Sequence, residues 1–228
     1  MKRMQVEFGA SVAITYVMGG LAREITDPVG AARAWLEAGE RSGMPVDPRL
    51  WLDGPPASTY PACLAVEASS EQGDPAPYLR RLREGFALRG RKLDTTEALV
   101  EEARRTPGLD VERFRIDLAS NAIVELFGND LERLRANALS VPALELGDVV
   151  LEGFVTYDEL RAAALAAGAE PDGAAPPPVE DALRRFGSLT VAEVAAVCSL
   201  PRPRAPAELW ALGAESRARE DHALFAPA

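Results

Sequence analysis

The stretch SVPALELGDVVLEGFVTYDELRAAALAAG, residues 140–168, decides how the rest of the chain is read. Two short apolar runs, Ala143–Leu146 and residues 149–155, flank Gly147-Asp148. A Gly-first pair between such runs predicts a tight two-residue hairpin. Thr156-Tyr-Asp-Glu159 has capping-box spacing, in which Thr156 and Glu159 satisfy each other's backbone N–H groups. Leu160, Ala164 and Leu165 then form an apolar stripe, and Gly168 suits the left-handed turn that ends a helix. Pro142 stands at the mouth of the first strand, where its missing N–H does least harm.

A proline ahead of a β-β-α closing unit resembles the C-terminal half of a thioredoxin fold. Across residues 11–168 the resemblance sharpens to the DsbA-like branch. It rests on ITYVMGGL at 14–21, STYPACLAV at 58–66, YLRRLRE at 78–84, LDVERF at 109–114 and Val141-Pro142, in that order and spacing. The resemblance implies an α/β chain with a thioredoxin-like core and a large inserted helical domain. The core is expected over 1–27 and 139–168, and the insertion over 28–138. It further implies that Pro142 is cis and that Val141 and Pro142 bind an extended substrate strand. The family chemistry is thiol–disulfide exchange, started by a low-pKa thiolate at a helix N-terminus and completed by a second cysteine.

One feature departs from the family. Residues 11–21 are a mostly apolar, β-branched run closed by Gly19-Gly20, expected to form a strand covered on both faces. In DsbA-like proteins this is the second core strand, and the first strand with its Cys-x-x-Cys precedes it. Both would lie upstream of Met1, which leaves the core's first strand incomplete and the 11–21 strand with an open edge. The expectation is that translation starts further upstream. True loss of the strand, leaving a non-redox relic, is the alternative.

Net charge is −10 over 228 residues, which argues against broad binding to nucleic acid or anionic membrane. No apolar run approaches the ~20 residues needed to span a bilayer. The N-terminus lacks a signal peptide's apolar region, so a cytoplasmic location is expected. Lys2 and Lys92 are the only lysines; with the alanine excess, this reads as coding bias.

The opening MKRMQVEF reads as helical turns with Met4 and Phe8 on one face. From Asp27 to Asn137 the pattern is helix broken by punctuation, giving five or six helices. Trp35 falls in the first and Trp51 in a Pro/Gly/Asp-rich loop over 43–56. Ser58 or Thr59 caps a helix through Cys63, Asp94-Thr-Thr-Glu97 is a second capping box, and Asp110 caps another helix. AEPDGAAPPP at 169–178 is a semi-rigid linker. The remainder, 179–228, is a small helical extension with helices over 179–187, from the capping box Thr190-Val-Ala-Glu193 through Cys198, and over 207–220. It ends in a frayed tail at 221–228. Three short helices with a break resemble the opening of a winged-helix unit.

Candidate sites weigh mostly toward ordinary roles. Cys63 and Cys198, outside any Cys-x-x-Cys, read as buried small hydrophobes. His222, the only histidine, sits beside Asp221 in the tail, so no His-based triad, metal site or cofactor is expected. Glu101-Glu102 and Asp47/Asp53 read as solvated charges. Arg202 and Arg204 are candidate phosphate contacts, but the prolines around them favour a protein-contact role over DNA.

The functional expectation is a DsbA-family thiol–disulfide oxidoreductase or isomerase, redox-inactive over these residues because the Cys-x-x-Cys is missing. The expected partner is a protein or thiol substrate, with no nucleic acid and no membrane. The alternatives are a non-catalytic adaptor, as some DsbA-like relatives deliver partners to a protease, and a glutathione-dependent isomerase or transferase.

Overall fold

The computed structural model describes residues 1–213, 215–216 and 224–226, which divide into two compact units. One comprises Met1–Ile14, Ala38–Pro45 and the chain from Pro142 onward; the other comprises Thr15–Glu37 and Val46–Val141.

The chain opens with helix α1, Lys2–Glu7, which buries Met4, Val6 and Phe8 at its end. A single 3₁₀ turn, Gly9–Ser11, follows. Residues 12–27 then carry no helix and join no ladder, so the strand expected over 11–21 does not pair. Its N–H groups find side chains instead: Met18 donates to the Asp130 carboxylate and Ala22 to the Thr59 hydroxyl. Coverage alternates over residues 11–16, and from Val17 to Gly20 every residue is at least partly covered. Val12, Ile14, Tyr16 and Met18 are at least half-covered, whereas Ser11, Ala13 and Thr15 are exposed. Over residues 11–16 one face is therefore covered, where two were expected.

Helix α2 spans Pro28–Ser42, and a one-turn helix, α3, occupies Arg49–Asp53 inside the stretch expected to be loop. Asp47 nucleates α3 by accepting from the Arg49 backbone N–H and binding its guanidinium. Asp47 is therefore buried and paired, not solvated. Trp51 is buried here, edge-on to Trp35 at 5.2 Å. Helix α4 is Tyr60–Ser70, with Pro61 tolerated in its first turn. Its fully covered Ala65 and Ala68 let α7, Val111–Leu118, and α8, Asn121–Ala136, approach closely. Between them in sequence lie α5, Ala76–Arg89, and α6, Thr96–Arg104.

Asp110 and Ser120 cap α7 and α8 as their residue types demand. At α6 the cap is Thr95, one residue later than the box spacing predicted. Asp94 instead accepts the Ala57 N–H at 2.7 Å. The core of this unit is built on Tyr78, Leu82, Leu99, Phe114, Ile123 and Phe127, each worth about 2–3 kcal/mol when withdrawn from water. Tyr78 donates to the Leu99 carbonyl at 2.9 Å, and burial pushes its phenol far up.

In the other unit, strands β1, Ala143–Leu146, and β2, Val149–Glu152, pair antiparallel around Gly147-Asp148, with Leu146 opposite Val149. Gly147 adopts φ +56°, the left-handed geometry a two-residue turn requires. The second strand stops three residues short of expectation, where the Gly153 N–H bonds back to the Pro142 carbonyl at 2.7 Å. Helix α9, Tyr157–Ala166, starts with both halves of its capping box formed.

Beyond residue 178 come α10, Val179–Phe186; β3, Leu189–Thr190; α11, Val191–Val197, with the expected capping box; and α12, Arg204–Ala211. Strands β4, Glu215–Ser216, and β5, Leu224–Ala226, complete a sheet of order β3-β5-β4. Helix–strand–helix–helix–strand–strand is a winged-helix topology. It corrects two expectations: the last helix ends at Ala211, and Leu224–Ala226 pairs as a strand where a frayed tail was expected. Asp221 and His222 lie outside the described residues.

Helix α1 joins two apolar clusters of its unit. Met4 and Phe8 pack with Leu160 and Ala164 of α9, while Val6 packs with Leu183, Val194 and Leu209 of the winged helix. Glu7 fastens the first contact by accepting from the Tyr157 hydroxyl and the Arg161 guanidinium. Lys2 reaches Glu193 of α11 at 2.9 Å for the second.

Burial alone would raise the Glu7 carboxyl, but those two hydrogen bonds and the Arg161 and Arg3 charges outweigh it, and its pKa falls below the ordinary value of 4.5. A depressed folded pKa contributes stability above the unfolded pKa that is lost as pH falls through the folded one. Thermal melts below pH 4.5 should therefore decline less steeply for Glu7→Gln than for wild type, with Glu7→Gln lower at neutral pH. Parallel acid limbs would contradict the assignment.

Candidate functional site

The extended residues 15–22 are pressed onto the helical unit, and the press forms a groove. Thr59, just ahead of α4, exchanges bonds with Ala22: its hydroxyl accepts the Ala22 N–H at 2.9 Å, and its own N–H donates to the Ala22 carbonyl at 3.0 Å. That commitment explains why Thr59 makes no side-chain cap to α4.

Between these anchors, Gly19 and Gly20 lie so close to their neighbours that an added Cβ would clash. A Cβ on Gly20 would stand 2.9 Å from both the Phe127 and Tyr60 rings, and Gly20 has φ +54°. Those rings meet edge-on at 5.0 Å and form the wall behind the glycines. A Cβ on Gly19 would come 2.9 Å from a Val141 methyl.

The result is an open groove of about 280 Å³, lined by Gly19, Gly20, Tyr60, Leu131, Leu134, Leu139 and Val141, with Arg135 its only charged lining residue. Bare glycine backbone and apolar walls suit an extended polypeptide, whose main chain needs close approach and whose side chains need apolar pockets.

The Met18 anchor belongs to a carboxyl pair. Glu67 of α4 and Asp130 of α8 share a hydrogen bond, and Asp130 also takes the Met18 N–H. Burial first, then the charge and hydrogen bond of Asp130 and the charge of Glu71, push Glu67 up to about 7. Two carboxyls in contact cannot both ionise cheaply, so Glu67 keeps its proton to higher pH than a free carboxyl.

Cys63 lies next to this pair. Burial, with Glu67 and Asp130 adding to it, raises its thiol against the opposing pull of the Gly20 amide. Burial likewise raises Cys198 at the end of α11. Both are free cysteines whose raised pKa disfavours the thiolate; Cys198 is buried as expected, whereas Cys63 is only half-buried.

Of the residues expected from the sequence, Val141 reaches the groove lip with 40% of its surface exposed. Pro142 opens the hairpin. Arg202 donates to the Ser42 carbonyl and Arg204 pairs with Glu208 at 2.9 Å, so both are engaged within their own unit.

The Glu67–Asp130 pair was missed because its members lie on different helices with no spacing signature. Glu102 was misread. It is 1% exposed and salt-bridged by Arg81, Arg91 and Arg105, because α6 turns that position toward α5.

The thioredoxin family model matches residues 1–142, and the chain belongs to that family. Its fold class is α/β, a thioredoxin-type domain in which helices predominate. The chain is 30% identical over 144 residues to the ClpXP adapter protein SpxH of Halalkalibacterium halodurans, covering 58% of this chain and 47% of that protein. It is 30% identical over 184 residues to the ClpXP adapter protein SpxH of Bacillus subtilis, covering 74% and 60%. It thus spans about half to three-fifths of the length of these curated relatives. Among the described residues, no helix is long and apolar enough to cross a membrane.

Two consequences are measurable. Gly20→Ala should cost about 2 kcal/mol by chemical denaturation, from left-handed strain plus contact with two aromatic rings; an unchanged midpoint would contradict the close approach. Glu67 behaves oppositely to Glu7. With a folded pKa of about 7 against 4.5, its contribution is complete below pH 4.5 and is lost as pH rises toward 7. Melting temperatures for Glu67→Gln should lack that decline, whereas matching slopes would contradict the raised Glu67 carboxyl.

Proposed function

We propose that this chain is a non-catalytic adaptor on a DsbA-like thioredoxin scaffold, which holds a protein segment in the Gly19–Gly20 groove and presents it to a ClpXP-type protease. The observation that carries the reading is the environment of the thiols. Catalytic exchange needs a thiolate in an electropositive, accessible setting. Cys63 instead is half-buried beside two carboxyls, and Cys198 is buried in the winged-helix core. Two relatives that bear the ClpXP adapter name support the same direction.

The docked segment is extended and mostly apolar, with a carboxylate that meets Arg135. Val141 contacts it at the groove lip. Pro142 restricts Val141 to extended backbone, the shape an adjacent docked strand requires. This is the role the family resemblance gave both residues. The work is done in the cytoplasm.

The test uses the chain with Cys63→Ser and Cys198→Ser together. It should co-purify with the same protein as wild type and support that protein's degradation by ClpXP. Val141→Asp in the same background should weaken capture at least tenfold, about 1.4 kcal/mol. Disulfide turnover by the wild-type chain that vanishes in the serine variant would overturn the reading in favour of an oxidoreductase.

A further inference from the structure

In a chain of net charge −10, the α5–α6 surface runs the other way. Glu102 at its centre binds Arg81 through two bonds of 2.7 and 3.0 Å, and also binds Arg91, with Arg105 at 3.6 Å. Arg105 reaches across to Glu101 at 2.8 Å, and Glu101 takes Arg104 at 3.1 Å. The Arg104 hydrogen bond first, then the Arg105, Arg104 and Arg91 charges, hold the Glu101 carboxyl below its ordinary range. Four guanidiniums thus converge on two carboxylates. Beside them on α5, Glu84 is shared by Arg80 and Arg89.

The arithmetic of hydrogen bonding leaves this surface unsatisfied. Four guanidiniums present about twenty N–H donors, and two carboxylates offer about eight acceptor sites. Arg104 and Arg105 keep about half of their side-chain surface exposed, at 52% and 46%, while Arg81 and Arg91 are held against the buried Glu102. The inner pair and its carboxylate therefore form a fixed positive base, and the outer pair carries spare donors into solvent. Guanidiniums prefer planar oxyanions that accept two parallel bonds.

We propose that the Arg81–Arg91–Arg104–Arg105 surface is a docking site for an acidic segment of a protein partner, rich in aspartate or glutamate. Size and overall charge favour a peptide over a nucleic acid. Tight nucleic-acid binding draws on a track of about six to ten phosphate contacts, whereas this patch spans two adjacent helices of an acidic chain. The site is separate from the groove and does not depend on the adaptor reading.

The experiment measures fluorescence anisotropy of a labelled peptide of alternating glutamate and serine with the full chain. Wild type should bind, and binding should weaken at least fivefold between about 0.05 and 0.3 M NaCl, as expected when the Debye length shrinks. Arg104→Gln with Arg105→Gln should weaken binding about tenfold while keeping the wild-type melting temperature, because Arg81 and Arg91 still hold Glu102. Glu101→Gln removes a competing acceptor and should tighten binding, a gain that loss of fold cannot mimic. Arg184→Gln, on α10, should change nothing. No binding by wild type, or equal affinity across these variants, would overturn the proposal. Tighter binding of oligo-deoxythymidine of equal charge would overturn the assignment to a peptide.

Discussion

The close approach of Gly19 and Gly20 to the Tyr60–Phe127 ring pair is the constraint on which the functional surface depends. The approach requires two things at once. The backbone must enter the left-handed region at Gly20, which only glycine does at little cost. The flanking N–H groups must also find partners, since an extended chain on a helical surface has no ladder to supply them. Asp130 serves Met18 and Thr59 serves Ala22, each drawn from a helix with other work available. Side-chain acceptors thus hold a segment whose sequence is that of a strand.

The electrostatics follow from where these anchors sit. Holding Asp130 against a backbone N–H beside Glu67 brings two carboxyls into contact in a partly covered site, and Glu67 answers by holding its proton to higher pH. Burial first, and then these carboxyls, raise the Cys63 thiol, so the same surroundings disfavour thiolate chemistry there. On α5 and α6 the converse holds. Burying Glu102 at 1% exposure needs more than one cation, and the cations recruited for it leave an excess outside.

Local features were legible in the sequence and non-local ones were not. The Gly147-Asp148 hairpin and the boxes at Thr156 and Thr190 each depend on residues within four positions of one another, and each formed. The box at Asp94-Thr-Thr-Glu97 did not form, because Asp94 is drawn to the Ala57 N–H and Thr95 alone caps the helix. The run at 11–21 carries strand composition, yet whether it pairs is decided by what lies at its edge. The two-residue strand Leu189–Thr190 is too short for any periodicity, so the wing of the C-terminal unit could not be read even though its helices could. Val141, expected from the resemblance to bind substrate, lines the groove, whereas Glu67, Asp130 and the arginines around Glu102 emerge only when separate helices are brought together.

The most direct test of the account is hydrogen exchange on the full chain, alone and saturated with its captured protein. The account predicts added protection concentrated in peptides covering residues 15–22 and 131–141, which build the groove, with no covalent adduct at Cys63 or Cys198. Unchanged exchange in both segments, or capture through a mixed disulfide, would contradict it.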